Sequence, residues 1–307
     1  MRRVFVLFAI VMAVSLLPRS GMVRAQEATP SQLALKYPEL RMVATDYAFE
    51  LAGETAAGLT LVTLENNGTE LHHAQLMQLA EGESAKTLQT ALGQSPEAIF
   101  GLGRFVGGPS VAAPGGQTQV ILDLEPGQYV ALCFVESPDG VPHLAKGMVQ
   151  SFEVASGGTP TAATEPQAAS TVVLRDFTFE LPAQIAAGPQ VWEVVNEGPQ
   201  PHEIALLKLA EGVAPEQVQG MIVGPSASPE ADHEMASPAA APEGSPAAAG
   251  PPPFEPVGGM QALASGLRGW IVLDLEPGNY LAVCFVPDPA SGQPHAELGM
   301  VASFRVE

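Results

Sequence analysis

The sequence predicts an all-β chain made of two tandem β-sandwiches, and three observations predict it. Short runs alternate apolar and polar residues with period two and are bounded by Gly, Pro and Asn turn formers. One long pattern occurs twice. Only Ser84 to Leu92 and Ala214 to Val223 carry a weak helical period, so helix is a minor component.

The repeat sets the organisation. ATDYAFELAGETAAG, Ala44 to Gly58, returns as LRDFTFELPAQIAAG, Leu174 to Gly188, at an offset of 130. The same offset carries Leu61 to Leu79 onto Val191 to Leu209. By Cys133 and Cys284 the offset has grown to 151, so 21 extra residues lie in the second copy. They fall in Ser226 to Pro253, an Ala/Pro-rich stretch without apolar period, expected to be a disordered insertion. Ser156 to Ser170 reads as a Thr/Ala/Pro linker. The expected layout is therefore a lead-in over 26–40, domain one over 41–155, the linker over 156–170, and domain two over 171–307.

Within the first copy, strands are predicted at Asp46 to Leu51, Leu59 to Leu64, His73 to Leu79 and Gln117 to Leu124. The Glu125-Pro126-Gly127 turn feeds a further strand, Gln128 to Val135, and Gly147 to Val154 supplies the last. Period-two alternation puts Tyr129, Ala131 and Cys133 on one face and Val130, Leu132 and Phe134 on the other.

The N-terminus has the form of an export signal: Arg2 and Arg3, an apolar run from Val4 to Leu17, then the small-residue site Val23-Arg24-Ala25. That run is shorter than the roughly 20 residues a membrane helix needs. The chain is expected to be exported to the periplasm or cell exterior, cleaved before Gln26 and without a membrane span. Thirteen Lys and Arg, four of them in residues 1–25, stand against 33 Asp and Glu. Such an acidic chain is unsuited to nucleic acid or anionic membrane surfaces and favours a basic protein partner.

Both cysteines lie in the part of the repeat richest in chemistry. Leu122 to Met148, LDLEPGQYVALCFVESPDGVPHLAKGM, matches Leu273 to Met300, LDLEPGNYLAVCFVPDPASGQPHAELGM. Each copy holds one Cys, then Pro-His, then Gly-Met. A disulfide would have to join equivalent positions of two domains; a buried inert thiol in each is the plainer alternative. The remaining donor is a His after Asn-x-Gly: His72 follows Asn66-Asn67-Gly68, and His202 follows Asn196-Glu197-Gly198. The candidate ligand sets are thus His72, Cys133, His143, Met148 and His202, Cys284, His295, Met300. Two imidazoles, a thiolate and a weak thioether suit copper in an electron-transfer centre. Turn formers between each Cys and its following His, Ser137 to Gly140 and Pro287 to Gly292, allow an out-and-back excursion whose ends stay close. His73, His233 and Met235 have no His or Met counterpart in the other copy; His73 is expected on a strand surface and the other two in the insertion.

These motifs resemble the cupredoxin family, the small blue copper proteins. The resemblance rests on the Asn-x-Gly…His block, the Tyr-x-x-x-Cys strand ends at Tyr129 to Cys133 and Tyr280 to Cys284, and the Pro-His-x-x-x-Gly-Met blocks at Pro142 to Met148 and Pro294 to Met300. It implies Greek-key sandwiches with copper at one end, up to two per chain, and single-electron transfer with a redox partner protein. Copper capture or delivery, and a metal-free binding or scaffold module, are the alternative functions. Copper enzymes of related build flank the Cys with histidines, whereas Leu132 and Phe134, or Val283 and Phe285, stand here, and no His-x-His occurs. The chain is accordingly expected not to be an enzyme.

Overall fold

The computed structural model describes residues 36–53, 55–94, 96–156, 164–223 and 252–307. The export signal, most of the lead-in, linker residues 157–163, and all but Pro252 and Pro253 of the expected insertion, His233 and Met235 included, lie outside the described residues. The fold is all-β, with each half folding its strands into two facing sheets.

In the first half, β1 (Glu39–Thr45), β2 (Ala48–Gly53), β3 (Gly58–Asn66) and β6 (Gln117–Leu124) form one sheet in the order β2-β1-β3-β6. The facing sheet has the order β5 (Gly103–Phe105), β4 (Gln75–Leu79), β7 (Gly127–Leu132), β8 (Val149–Val154). The second half repeats the plan with β10 (Thr178–Glu180), β9 (Ser170–Arg175), β11 (Gly188–Asn196) and β14 (Arg268–Leu275), opposite β13 (Phe254–Leu263), β12 (His202–Leu209), β15 (Gly278–Val283) and β16 (Val301–Val306). β1 starts at Glu39 and Tyr37 and Leu40 are buried, so the end of the expected lead-in is already part of the sheet: its apolar residues pack inside.

The expected alternation is visible in the packing. Tyr129, Ala131 and Cys133 enter the core between the sheets, while Val130 and Leu132 face outward beneath α1 (Ala85–Leu92). That helix is short, so its start depends on capping: the Ser84 side chain accepts from the Thr87 N–H, and the Thr87 side chain accepts from the Ser84 N–H. Its twin, α2 (Pro215–Val223), buries Val218 against β15. Each Glu-Pro-Gly turn is locked by the tyrosine that follows, Tyr129 O–H donating to Glu125 O at 2.8 Å and Tyr280 O–H to Glu276 O at 2.7 Å.

The halves join along both sheets. β6 pairs antiparallel with its own twin β14, Ile121 opposite Trp270 and Gln119 opposite Val272, so Val120 and Ile271 sit on a pseudo-two-fold axis. In the facing sheet the chain after β5 bonds to β13: Gly107 N–H to Ala262 O at 2.9 Å and Gln261 N–H to Gly108 O at 2.9 Å. The strands approach so closely that a Cβ on Gly269 would lie 2.8 Å from both Leu122 and Met260.

Candidate metal centres

Backbone hydrogen bonds bring each set of donors to one end of its sandwich. His72 is pinned by a two-way bridge to Ala112, its N–H donating at 3.2 Å and its O accepting at 2.8 Å. Cys133 follows directly on β7. The excursion after it closes on itself, Glu136 bridging Pro142, and His143 N–H donates to Val135 O at 2.8 Å. His143 then opens a 3-10 turn that ends at Gly147, whose left-handed backbone suits glycine. The chain returns so that Met148 N–H donates to His143 O at 2.9 Å and Cys133 N–H to Met148 O at 3.4 Å. In the second half His295 N–H to Val286 O (2.8 Å), Met300 N–H to His295 O (2.9 Å) and Cys284 N–H to Met300 O (3.2 Å) repeat the arrangement.

The nitrogen and sulfur donors converge. His72, Cys133 and His143 place one donor atom each within 4.8 Å of one another, and so do His202, Cys284 and His295. His72 Nδ1 lies 3.1 Å from His143 Nδ1, with Cys133 Sγ 3.5 Å from the latter. His202 Nδ1 lies 3.0 Å from His295 Nδ1, with Cys284 Sγ at 3.4 Å. All six side chains, and those of Met148 and Met300, are buried. Both cysteines are free thiols, so the disulfide alternative does not arise.

Tautomer logic makes these pockets poor in protons. His72 Nε2 faces Asp46 Oδ1 at 3.2 Å, and His143 Nε2 faces Glu70 Oε2 at 3.0 Å. Carboxylate oxygens accept, so both Nε2 atoms carry hydrogens and both Nδ1 lone pairs meet across 3.1 Å. The Asp46 carboxyl is held down to about 2, chiefly by hydrogen bonds from Thr69. In the second half Asp176 Oδ1 accepts from His202 Nε2 at 2.9 Å, and Gln200 Oε1 accepts from His295 Nε2 at 3.2 Å. One thiol proton cannot satisfy two imidazole lone pairs; a cation between them would. The donor chemistry therefore fits a thiophilic metal ion.

Burial sets the protonation states. It lowers His72, His202 and His295, the last to about 4, keeping the imidazoles neutral as ligation requires. It pushes the Cys133 thiol up to about 11, and Cys284 rises likewise with the charge of Glu203 added. An ion entering either pocket would displace that proton.

Two departures from the sequence reading stand out. His73 is buried, not on a strand surface: its Nε2 accepts from the Phe134 N–H at 2.9 Å, bracing the Cys loop. Its twin Glu203 does the same for Phe285 at 2.8 Å, and burial raises that carboxyl to about 7. The outer partners Asp46, Glu70, Asp176 and Gln200 were not singled out from sequence. Asp46 and Asp176 are twins inside the opening block of the repeat, the one signal available. The residue after each, Tyr47 (φ 69°) and Phe177 (φ 60°), holds a left-handed backbone that bulky residues rarely adopt. That turn lays the aromatic ring against His143 or His295, 5.2 Å between centroids in both halves.

The Asn-x-Gly turns are part of the same construction. Asn66 Nδ2 donates to Glu70 O and Ala112 O, both at 2.8 Å, and its Oδ1 accepts from Gly68 N–H. A Cβ on Gly68 would lie 2.6 Å from His72 Nε2 and closer still to Asp46 Oδ1; on Gly198 it would lie 2.7 Å from His202 Nε2. Gly68→Ala is thus expected to weaken metal binding in the first half by roughly 10- to 100-fold, the scale of a lost ligand-orienting partner, and to leave the second half unchanged. A competition titration against a chelator of known affinity measures it.

No protein-family model and no curated protein matches the chain. Among solved structures, it is similar to a dithionite-reduced auracyanin from the photosynthetic bacterium Roseiflexus castenholzii: 22% identity over 38% of this chain and 96% of that one, TM-score 0.26. A multicopper oxidase is similar over 88% of both chains, with 13% identity and a TM-score of 0.22. A copper-containing nitrite reductase from Thermus scotoductus is similar over 88% of this chain and 61% of its own, with 10% identity and a TM-score of 0.22. The last two are enzymes, which corrects the expectation that the chain is not one. The absence of His-Cys-His and His-x-His motifs does not by itself exclude catalysis.

Proposed function

We propose that the chain is an exported tandem of two cupredoxin domains, over 41–155 and 171–307, that binds copper in both and serves single-electron transfer. The observation that carries this reading is the repeated meeting of two proton-free imidazole nitrogens and a thiol sulfur in a buried pocket. His72, Cys133, His143 and Met148 would hold one ion, and His202, Cys284, His295 and Met300 the other. Bound copper would supply a one-electron couple. The surrounding chain supports it by fixing its donors: Asp46, Glu70, Asp176 and Gln200 orient the imidazoles, and His73 and Glu203 hold the backbone after each sulfur. Ligands held on the sheet and its hydrogen-bonded loops need little rearrangement when the ion's charge changes.

The acidic surface suits a basic redox partner. The N-terminal signal supports export, and among the described residues no helix is long and apolar enough to cross a membrane. The test is to load the protein with cupric ion, count metal per chain, and record visible and paramagnetic-resonance spectra. Two coppers and an intense thiolate-to-copper band are expected. A colourless protein that retains only cuprous ion would instead indicate capture and delivery, and absence of binding would indicate a metal-free module.

A further inference from the structure

A cavity of about 570 Å³ opens where the two halves meet, within the size range of small-molecule sites. Phe100, Phe105 and Phe134 line it from the first half and Phe285 from the second. Phe100 and Phe285 are 41% and 45% exposed, although large aromatic side chains are normally covered. Its polar wall includes His73 and Glu203, which hold matching positions in the two halves of the repeat.

His73 is the informative group. Its Nε2 accepts from Phe134 N–H, so in the neutral ring the proton is on Nδ1. That Nδ1 is the one buried side-chain nitrogen or oxygen without a hydrogen-bond partner among the described residues. A buried donor left unmatched is destabilising, and an incoming acceptor would satisfy it. The ring also lies parallel to Phe134, 12° between planes and 6.0 Å between centroids, giving the wall a flat aromatic surface.

We propose that this cleft binds a neutral, planar aromatic molecule bearing a carbonyl oxygen, its ring among the four phenylalanines and its oxygen accepting from His73 Nδ1–H. Phe134 and Phe285 each follow a cysteine directly, so the occupant would sit one residue from both sulfurs. The proposal is independent of the copper reading and is tested on metal-free, full-length protein.

The probes are 2-acetylnaphthalene and 2-ethylnaphthalene, alike in shape but differing in the acceptor, titrated calorimetrically. Saturable binding of one ketone per chain is expected, at least about tenfold tighter than the hydrocarbon, the factor that corresponds to 1.4 kcal/mol. Phe285→Ala, at an exposed position, should weaken both probes. His73→Phe keeps a ring and removes the donor, and should bring the ketone down to the hydrocarbon. In the unmodified protein the His73 Nδ1–H resonance should move downfield with the ketone and stay in place with the hydrocarbon. Absence of saturable binding, an unmoved resonance, or a ketone preference that survives His73→Phe would overturn the proposal.

Discussion

Cys133→Ser is expected to abolish the visible band of the first centre and leave that of the second, with Cys284→Ser doing the converse and the double variant colourless. The argument is one of donor character. A serine oxygen is hard and stays protonated near neutral pH, so it neither reproduces the soft thiolate nor supplies the charge-transfer transition that gives copper-thiolate centres their colour. Each sulfur is fully buried and close to one imidazole, at 3.5 Å in the first half and 3.4 Å in the second, so no nearby group takes its place. The fold should survive, because the change conserves size, at a cost of about 1–3 kcal/mol for burying a hydroxyl. Absorbance per chain, read with a thermal melt, checks both statements; a single variant that retained the full band would show its sulfur to be a bystander.

Glu203→Gln is expected to change the pH dependence of stability in the metal-free protein. Glu203 is buried and its carboxyl is raised from 4.5 to about 7, so the folded state binds its proton more tightly than the unfolded state. Its contribution is fully present below pH 4.5 and is lost as the pH rises through 7, amounting to about 3 kcal/mol at 1.36 kcal/mol per unit. Glutamine keeps the acceptor for the Phe285 N–H and does not titrate. The variant should therefore lack the loss between pH 4.5 and 7 and be the more stable protein at pH 8. The histidines act with the opposite sign. His73, lowered by burial to about 3, and His295, lowered to about 4, contribute stability above 6.5 that disappears as the pH falls. Both proteins should share that acid limb. Denaturant titrations from pH 4 to 8 decide the matter; parallel curves throughout would show that Glu203 is not the titrating group.

Much of the fold and the inner donors was legible because the information is local or doubled. Period-two alternation assigned Tyr129, Ala131 and Cys133 to the inner face, and the packing agrees. The excursion after each Cys was readable from its turn formers, and its ends do meet. Recurrence of His, Cys and His at matched positions was what separated these from ordinary core residues, and each triplet converges. What was not legible depends on surfaces meeting. His73 reads as a surface strand residue because nothing in its neighbourhood announces that the Phe134 ring packs against it and the Phe134 N–H bonds to its Nε2. Asp46 and Asp176 stand 26 residues from the histidines they orient, and only folding of the β1–β2 and β9–β10 turns reveals the contact. Glu70 and Gln200 are twins with different chemistry, a carboxylate and an amide behind equivalent imidazoles, and sequence spacing attaches no meaning to either.

The pairing of β6 with β14, and of the chain after β5 with β13, bears on how the protein avoids sticking to itself. An isolated sandwich of this kind would offer two rows of unsatisfied amides to any passing extended segment, the usual opening for runaway strand addition. Here each half covers one margin of each of the other's sheets within a single polypeptide, leaving β2, β8, β10 and β16 as the outer strands. Loosening one half strips the protection from its neighbour, so the two are bound to melt as a cooperative unit instead of one after the other.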